Sequence, residues 1–114
     1  MKPPRTMSIR GFRLTELEVD FQDQVIHELV LTGWLIYHIP DSRRATMPGF
    51  PDLFCFHFEH GRVVALEMKR ENGTVSREQK QVGVCLRAAG VPWYVVRPST
   101  WPAIKAEIDA LLSE

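Results

Sequence analysis

The sequence predicts an α/β fold in which a mixed central sheet is flanked by helices, in the order helix, strand, strand, strand, helix, strand, helix. Three observations predict it. Segments with apolar residues every three to four positions alternate with short runs rich in β-branched and aromatic residues. Two of those runs, residues 51–58 and 62–69, are separated only by Glu59-His60-Gly61, so they fold as an antiparallel pair about a tight turn. A helical segment then lies between Lys69 and Val91. A helix joining two strands is a crossover, and a crossover implies a parallel pair.

The elements follow in order. Residues 1–13 are polar, with Pro3, Pro4 and Gly11, and read as an N-terminal arm; residues 14–114 read as one domain. Thr15 followed by Glu18 has the spacing of a capping box. Leu14, Leu17, Phe21, Val25 and Leu29 then trace a helical stripe over about 15–32, and Gly33 stops it. Residues 34–38 (Trp-Leu-Ile-Tyr-His) form a short strand. Residues 39–51 form a long connection with three prolines and the pair Arg43-Arg44, of the kind that is often functional. The hairpin comes next. Ser76 with Gln79 opens a second helix, on which Val82, Cys85, Leu86 and Ala89 form the apolar stripe, and Gly90 ends it. Residues 91–96 form the last strand. Thr100 caps a final helix with Trp101, Ile104, Ile108 and Leu111 on its inner face.

Composition narrows the function. A chain of 114 residues is long enough for one domain with a real core. With 45% hydrophobic and 25% charged residues it reads as a soluble globular protein. No apolar run approaches the ~18 residues of a membrane span, and the N-terminus lacks the apolar stretch of a secretory signal. Cys55 and Cys85 sit in apolar patterns and read as reduced core residues, not as a disulfide or half of a zinc site. Fourteen basic residues balance fourteen acidic ones, which argues against a general nucleic-acid coat while allowing a local basic patch.

The chemistry concentrates on the hairpin. Side chains two apart on a strand share a face, so Glu67 and Lys69 point the same way. Antiparallel folding brings Asp52 opposite residues 67–69. Two carboxylates and an ammonium then converge among apolar neighbours. Burying them is costly unless something pairs them, and a divalent cation would do so. Read alone, the trio could equally be a structural salt bridge, and Gln79 could be only the capping partner of Ser76. Glu18 reads as a capping glutamate or a solvated helix charge, and His38, Ser42, Arg43 and Arg44 as a solvated polar loop or a phosphate-contacting edge. Lys2, Arg5, Arg10 and Arg13 could extend that edge. His57 and His60 fall near the hairpin turn, far from Asp52, and are not counted as ligands. His27 reads as a surface histidine, and Trp34, Trp93 and Trp101 as core.

The order of elements, with Gly49-Phe50-Pro51-Asp52-Leu53, then Glu67-Met68-Lys69, then Ser76-Arg77-Glu78-Gln79, resembles the PD-(D/E)XK nuclease superfamily. More narrowly it resembles the VRR-NUC domain in its small stand-alone form. The resemblance runs from Thr15 to Leu112. It is specific because G-F-P-D-L, E-x-K and S-x-x-Q occur together at matching offsets, whereas E-x-K alone arises often by chance. It implies a restriction-endonuclease-like αβββαβ core with an added C-terminal helix. It further implies that Asp52, Glu67 and the backbone carbonyl of Met68 hold Mg²⁺ or Mn²⁺, with Glu18 as an outer or second-metal ligand. Lys69 would act at the water or the scissile phosphate, and Gln79 would orient one of them. The implied function is a metal-dependent DNA endonuclease working as a homodimer on branched DNA such as four-way (Holliday) junctions, in the cytoplasm of a bacterium or phage-infected host. The alternatives are a nickase or nuclease for another DNA form, or a non-catalytic DNA-binding module of the same fold.

Overall fold

A computed structural model describes residues 16–38 and 47–113, with side chains from residue 20 onward. Its elements are α1 (Glu16–Leu31), β1 (Leu35–His38), β2 (Leu53–His57), β3 (Arg62–Met68), α2 (Arg77–Ala88), β4 (Trp93–Val96) and α3 (Trp101–Leu111). The predicted order holds, with helix and strand ends trimmed by a residue or two. The expected arm and the Thr15 cap lie outside the described residues.

The four strands form one sheet in the order β1-β2-β3-β4. β1 pairs antiparallel with β2 and β2 with β3, while β3 and β4 are parallel. The α2 crossover produces that parallel pair, as expected for strands joined through a helix. β3 therefore has neighbours on both sides, and its residues Val64, Ala65, Leu66 and Glu67 are all buried. Such a continuous buried run marks a strand covered on both faces.

Alternation along the strands divides the sheet into two layers. One face carries Leu53, Cys55, Val64, Leu66 and Val96, which pack with Val25 and Leu29 of α1, Trp34, and Trp101, Ile104 and Ile108 of α3 into the main core. Burial there pushes the Cys55 thiol up to about 12, so it behaves as a small apolar group. Trp101 keeps its indole N–H satisfied by donating to Glu28 Oε1 at 3.0 Å.

α2 covers the other face, and here the predicted stripe is half right: Val82 and Leu86 are half-buried. Cys85 and Ala89 are exposed, while Gly83 is the buried position of the helix. The helix approaches β4 so closely that any side chain at Gly83 would collide with the Trp93 ring. The contact line therefore runs through a residue with no side chain, which a count of apolar positions misses. Thr100 also departs from expectation. Its hydroxyl makes no cap to α3 and instead turns back, accepting from Arg97 N–H at 3.0 Å and donating to Arg97 O at 3.2 Å. The turn over Arg97–Thr100 feeds directly into the helix through Trp101 N–H to Arg97 O.

Candidate functional site

The site lies where β2 begins and β3 ends, and backbone pairing explains why. Leu53 pairs with Leu66, so Asp52 stands across from Glu67. Side chains directly opposite on antiparallel strands have Cβ atoms about 4.5–5.5 Å apart. Alternate N–H groups of β3 point to opposite neighbours. Those of Ala65 and Lys69 donate to Pro92 and Val96 on the β4 side. The Met68 N–H thus faces β2, one step past the last ladder pair, where it would be orphaned. The Asp52 carboxylate replaces the missing carbonyl: Met68 N–H donates to Asp52 Oδ2 at 2.8 Å. This bond fixes the acid beside Glu67.

Glu67 is the charged group most deeply set in the sheet, 1% exposed. Its Oε2 accepts from Gln79 Nε2 at 2.8 Å and lies 3.8 Å from Lys69 Nζ. Its Oε1 is buried and meets no hydrogen-bond partner among the described residues. Burial, reinforced by the adjacent Asp52 carboxylate and opposed by the Lys69 ammonium, pushes the Glu67 carboxyl up to about 8. Lys69 is partly exposed, at 19%, so it stands at the mouth of the site and is not sealed into a tight ion pair.

Gln79 is positioned by α2's own start. Ser76 Oγ accepts from Gln79 N–H at 3.0 Å, and Gln79 Oε1 accepts from Ser76 N–H at 2.9 Å, a complete capping box. The same amide then spends its Nε2 donor on Glu67. The two readings of Gln79, cap and site residue, are both present in one geometry. Gly49 sets the approach of this helix to the strand. At φ +88° it packs on the first turn of α2, where an added Cβ would stand 2.5 Å from the Glu78 carbonyl carbon, so only glycine fits. Pro51 is fully buried and Phe50 meets Phe54 at a tilt, with ring centres 5.0 Å apart. The Gly49-Phe50-Pro51-Asp52-Leu53 run is thus a packing device that delivers Asp52.

Two carboxylates, one with an unpaired buried oxygen, suit a hard divalent cation. Such ions take oxygen ligands, and the unpaired oxygen would otherwise cost about 1–3 kcal/mol or more. The donor set fits Mg²⁺ or Mn²⁺ at Asp52 and Glu67.

The structure thus brings together Asp52, Glu67, Met68, Lys69 and Gln79. His38 is exposed and pairs with Leu53, so it lies on the neighbouring strand but on the opposite face of the sheet from Asp52. Ser42, Arg43, Arg44 and the Glu18 side chain lie outside the described residues. Arg77 and Lys80 were not singled out from the sequence. They line a shallow depression on α2 with Gln81 and Val84, flanking Gln79 in sequence.

Comparison with known proteins places the chain in a family and shows related folds. A family model for the VRR-NUC domain matches residues 18–99. No curated protein matches the sequence. A solved VRR_NUC domain superposes with a TM-score of 0.59 at 23% identity, covering 70% of this chain and 83% of its own. Another VRR_NUC domain protein superposes with a TM-score of 0.52 at 20% identity, covering 70% and 76%. Hjc, a Holliday junction resolvase from Archaeoglobus fulgidus, superposes with a TM-score of 0.51 at 22% identity, covering 69% and 67%. With the family match spanning most of the sequence, the chain belongs to the VRR-NUC family of nuclease domains.

Proposed function

We propose that this domain is a divalent-metal-dependent DNA endonuclease that hydrolyses phosphodiesters at the Asp52–Glu67–Lys69 centre, selectively on branched DNA such as four-way junctions. The observation that carries the reading is the pair of opposed carboxylates, Glu67 buried and Asp52 half-buried, with Glu67 Oε1 unpaired and Lys69 at their edge. A divalent cation held by Asp52, Glu67 and the Met68 carbonyl would neutralise charge growing on the phosphate and lower the pKa of a bound water.

The chain's own residues prepare that chemistry. Met68 N–H holds Asp52 in one orientation. Gln79 occupies Glu67 Oε2 and leaves Oε1 for the cation. Lys69, reaching the mouth, stabilises charge on the scissile phosphate or orients the attacking water. Glu18 is assigned an outer ligand role. Arg77 and Lys80 are assigned contacts to DNA phosphates, as are His38, Ser42, Arg43 and Arg44.

The Hjc likeness in fold supports a branched substrate. A four-way junction has two-fold symmetry and needs paired cuts, which a homodimer supplies. Action in the cytoplasm of a bacterial or phage-infected cell fits the same substrate. No helix among the described residues is long and apolar enough to cross a membrane.

The test is cleavage of a labelled panel of duplex, flap, splayed-arm and four-way substrates in Mg²⁺ or Mn²⁺, with sedimentation to read the assembly. Junction cleavage by a dimer, lost in chelator and declining with added salt as phosphate contacts are screened, is expected. Preferential nicking of duplex would replace the branched substrate. DNA binding with no cleavage in any metal would identify a passive module.

A further inference from the structure

The opposite end of the β2–β3 hairpin carries a second cluster that the nuclease chemistry does not use. His57 is the last residue of β2 and is 4% exposed, while Glu59 and His60 sit in the exposed turn. His57, Glu59 and His60 each bring one ligand atom to within 4.8 Å of the others. His57 Nε2 lies 2.9 Å from the Thr32 carbonyl oxygen. A carbonyl only accepts, so Nε2 bears the proton and Nδ1 of the neutral ring bears the lone pair. That lone pair faces His60 Nδ1 at 3.3 Å and also His60 N–H at 3.3 Å. The His60 N–H bond to it is long against the ordinary ~2.7–3.2 Å range, and with the His60 proton on Nε2 the two Nδ1 lone pairs face one another.

The spacing instead matches coordination. Two nitrogens bound at ~2.0–2.1 Å in a tetrahedral zinc site stand about 3.3–3.4 Å apart. The Thr32 carbonyl supplies the outer partner that typically fixes a ligating histidine's tautomer and orientation. Trp34 buttresses the His57 ring edge-on, with centres 5.2 Å apart. Gly33 gives the ring its space, since a Cβ there would stand 2.6 Å from Nε2. The ring is therefore held in place by three separate contacts before any ion arrives.

We propose that His57 Nδ1, His60 Nδ1 and the Glu59 carboxylate bind a borderline transition-metal ion of the Zn²⁺ class, with water as fourth ligand. Imidazole nitrogens select such ions over Mg²⁺, so the two ends of the hairpin take different metals. The ion clamps the β2–β3 turn onto the α1–β1 turn through His57 and Thr32. This site is independent of the nuclease reading.

The experiment is titration of the untagged full chain with Co²⁺ and Zn²⁺, reading Co²⁺ visible absorption, calorimetric stoichiometry and Tm in the absence of DNA. One Co²⁺ per chain with the strong visible bands of tetrahedral nitrogen-oxygen coordination is expected, displaced by Zn²⁺. Tm rises by about 10 °C at Zn²⁺ in hundredfold excess over Kd. His60→Ala, at an exposed position, keeps the fold by circular dichroism and weakens Zn²⁺ binding at least about tenfold. Glu59→Gln weakens it as well. Asp52→Asn with Glu67→Gln leaves it unchanged. No Zn²⁺ binding by the folded chain, or binding unaffected by His60→Ala, overturns the proposal.

Discussion

The two ends of the β2–β3 hairpin are built from the same ladder yet hold opposite chemistries. At the open end, Asp52 and Glu67 face each other across the strands, and Glu67 is buried with an oxygen unpaired. At the turn, His57 and His60 meet through ring nitrogens, and His57 is anchored to the Thr32 carbonyl. The open end has lost its next ladder pair, so side chains must complete the backbone bonding, and Asp52 does so at Met68. At the turn the chain reverses and brings residues 57 and 60 close by local geometry alone. One end is thus assembled by three elements distant in sequence, the other by four consecutive residues and one carbonyl. The first arrangement sets hard oxygen donors around a buried Glu67; the second sets nitrogen donors between a buried His57 and an exposed His60. The difference teaches that a short strand pair can present two unlike ligand sets without either disturbing the other.

The largest effects should come from breaking the open end. Asp52→Ala and Glu67→Ala are expected to lower Mg²⁺-dependent cleavage by about 10²–10³-fold or more, and Lys69→Ala comparably, read as single-turnover rates on folded protein. Gln79→Ala should cost less. Losing the amide that holds Glu67 lowers the rate about 10–100-fold, and losing the capping box lowers stability by about 1 kcal/mol in urea unfolding. The conservative Gln79→Glu would place a like charge against Glu67 and should be worse for the rate than Gln79→Ala.

A pH experiment sharpens the contrast. Glu67 holds its proton up to about 8 when folded, against an ordinary value of 4.5. Between these values the folded chain binds the extra proton. The metal-free protein therefore loses stability as pH rises through that window, at up to about 1.4 kcal/mol per pH unit. Glu67→Gln should flatten this slope, and saturating Mg²⁺ should oppose it by favouring the carboxylate. Denaturant unfolding in chelator across the window checks both. The smallest effect belongs to the turn: His60→Ala should leave cleavage in Mg²⁺ unchanged. A cleavage loss there in folded protein would tie the two ends together and break the comparison.

Much of this was legible in the sequence. The order of elements, the parallel pair and the meeting of Asp52 with Glu67 follow from period-2 alternation and from one tight turn. The capping box at Ser76 and Gln79 follows from residue types at fixed spacing. Other features depended on tertiary contact. Gly83 became the buried residue of α2 because Trp93 lies over it, and Cys85 was displaced to the surface in consequence. Thr100 turned back onto Arg97 because the preceding turn already supplies the first helical bonds of α3. That Gln79 also reaches Glu67 required knowing which end of α2 meets β3, which Gly49 decides by its close approach to Glu78. The closeness of His57 and His60 is not legible in their spacing, because it depends on the Thr32 carbonyl that orients the His57 ring.

The claim on which the rest depends is that Asp52 and Glu67 form one cation-binding centre. Anomalous diffraction from a crystal of the full chain soaked in Mn²⁺ tests it most directly. The account predicts a manganese peak within about 2.5 Å of oxygens from both Asp52 and Glu67, lost in Glu67→Ala. A saturated crystal with manganese bound only elsewhere, or with the two carboxylates turned apart, would contradict it.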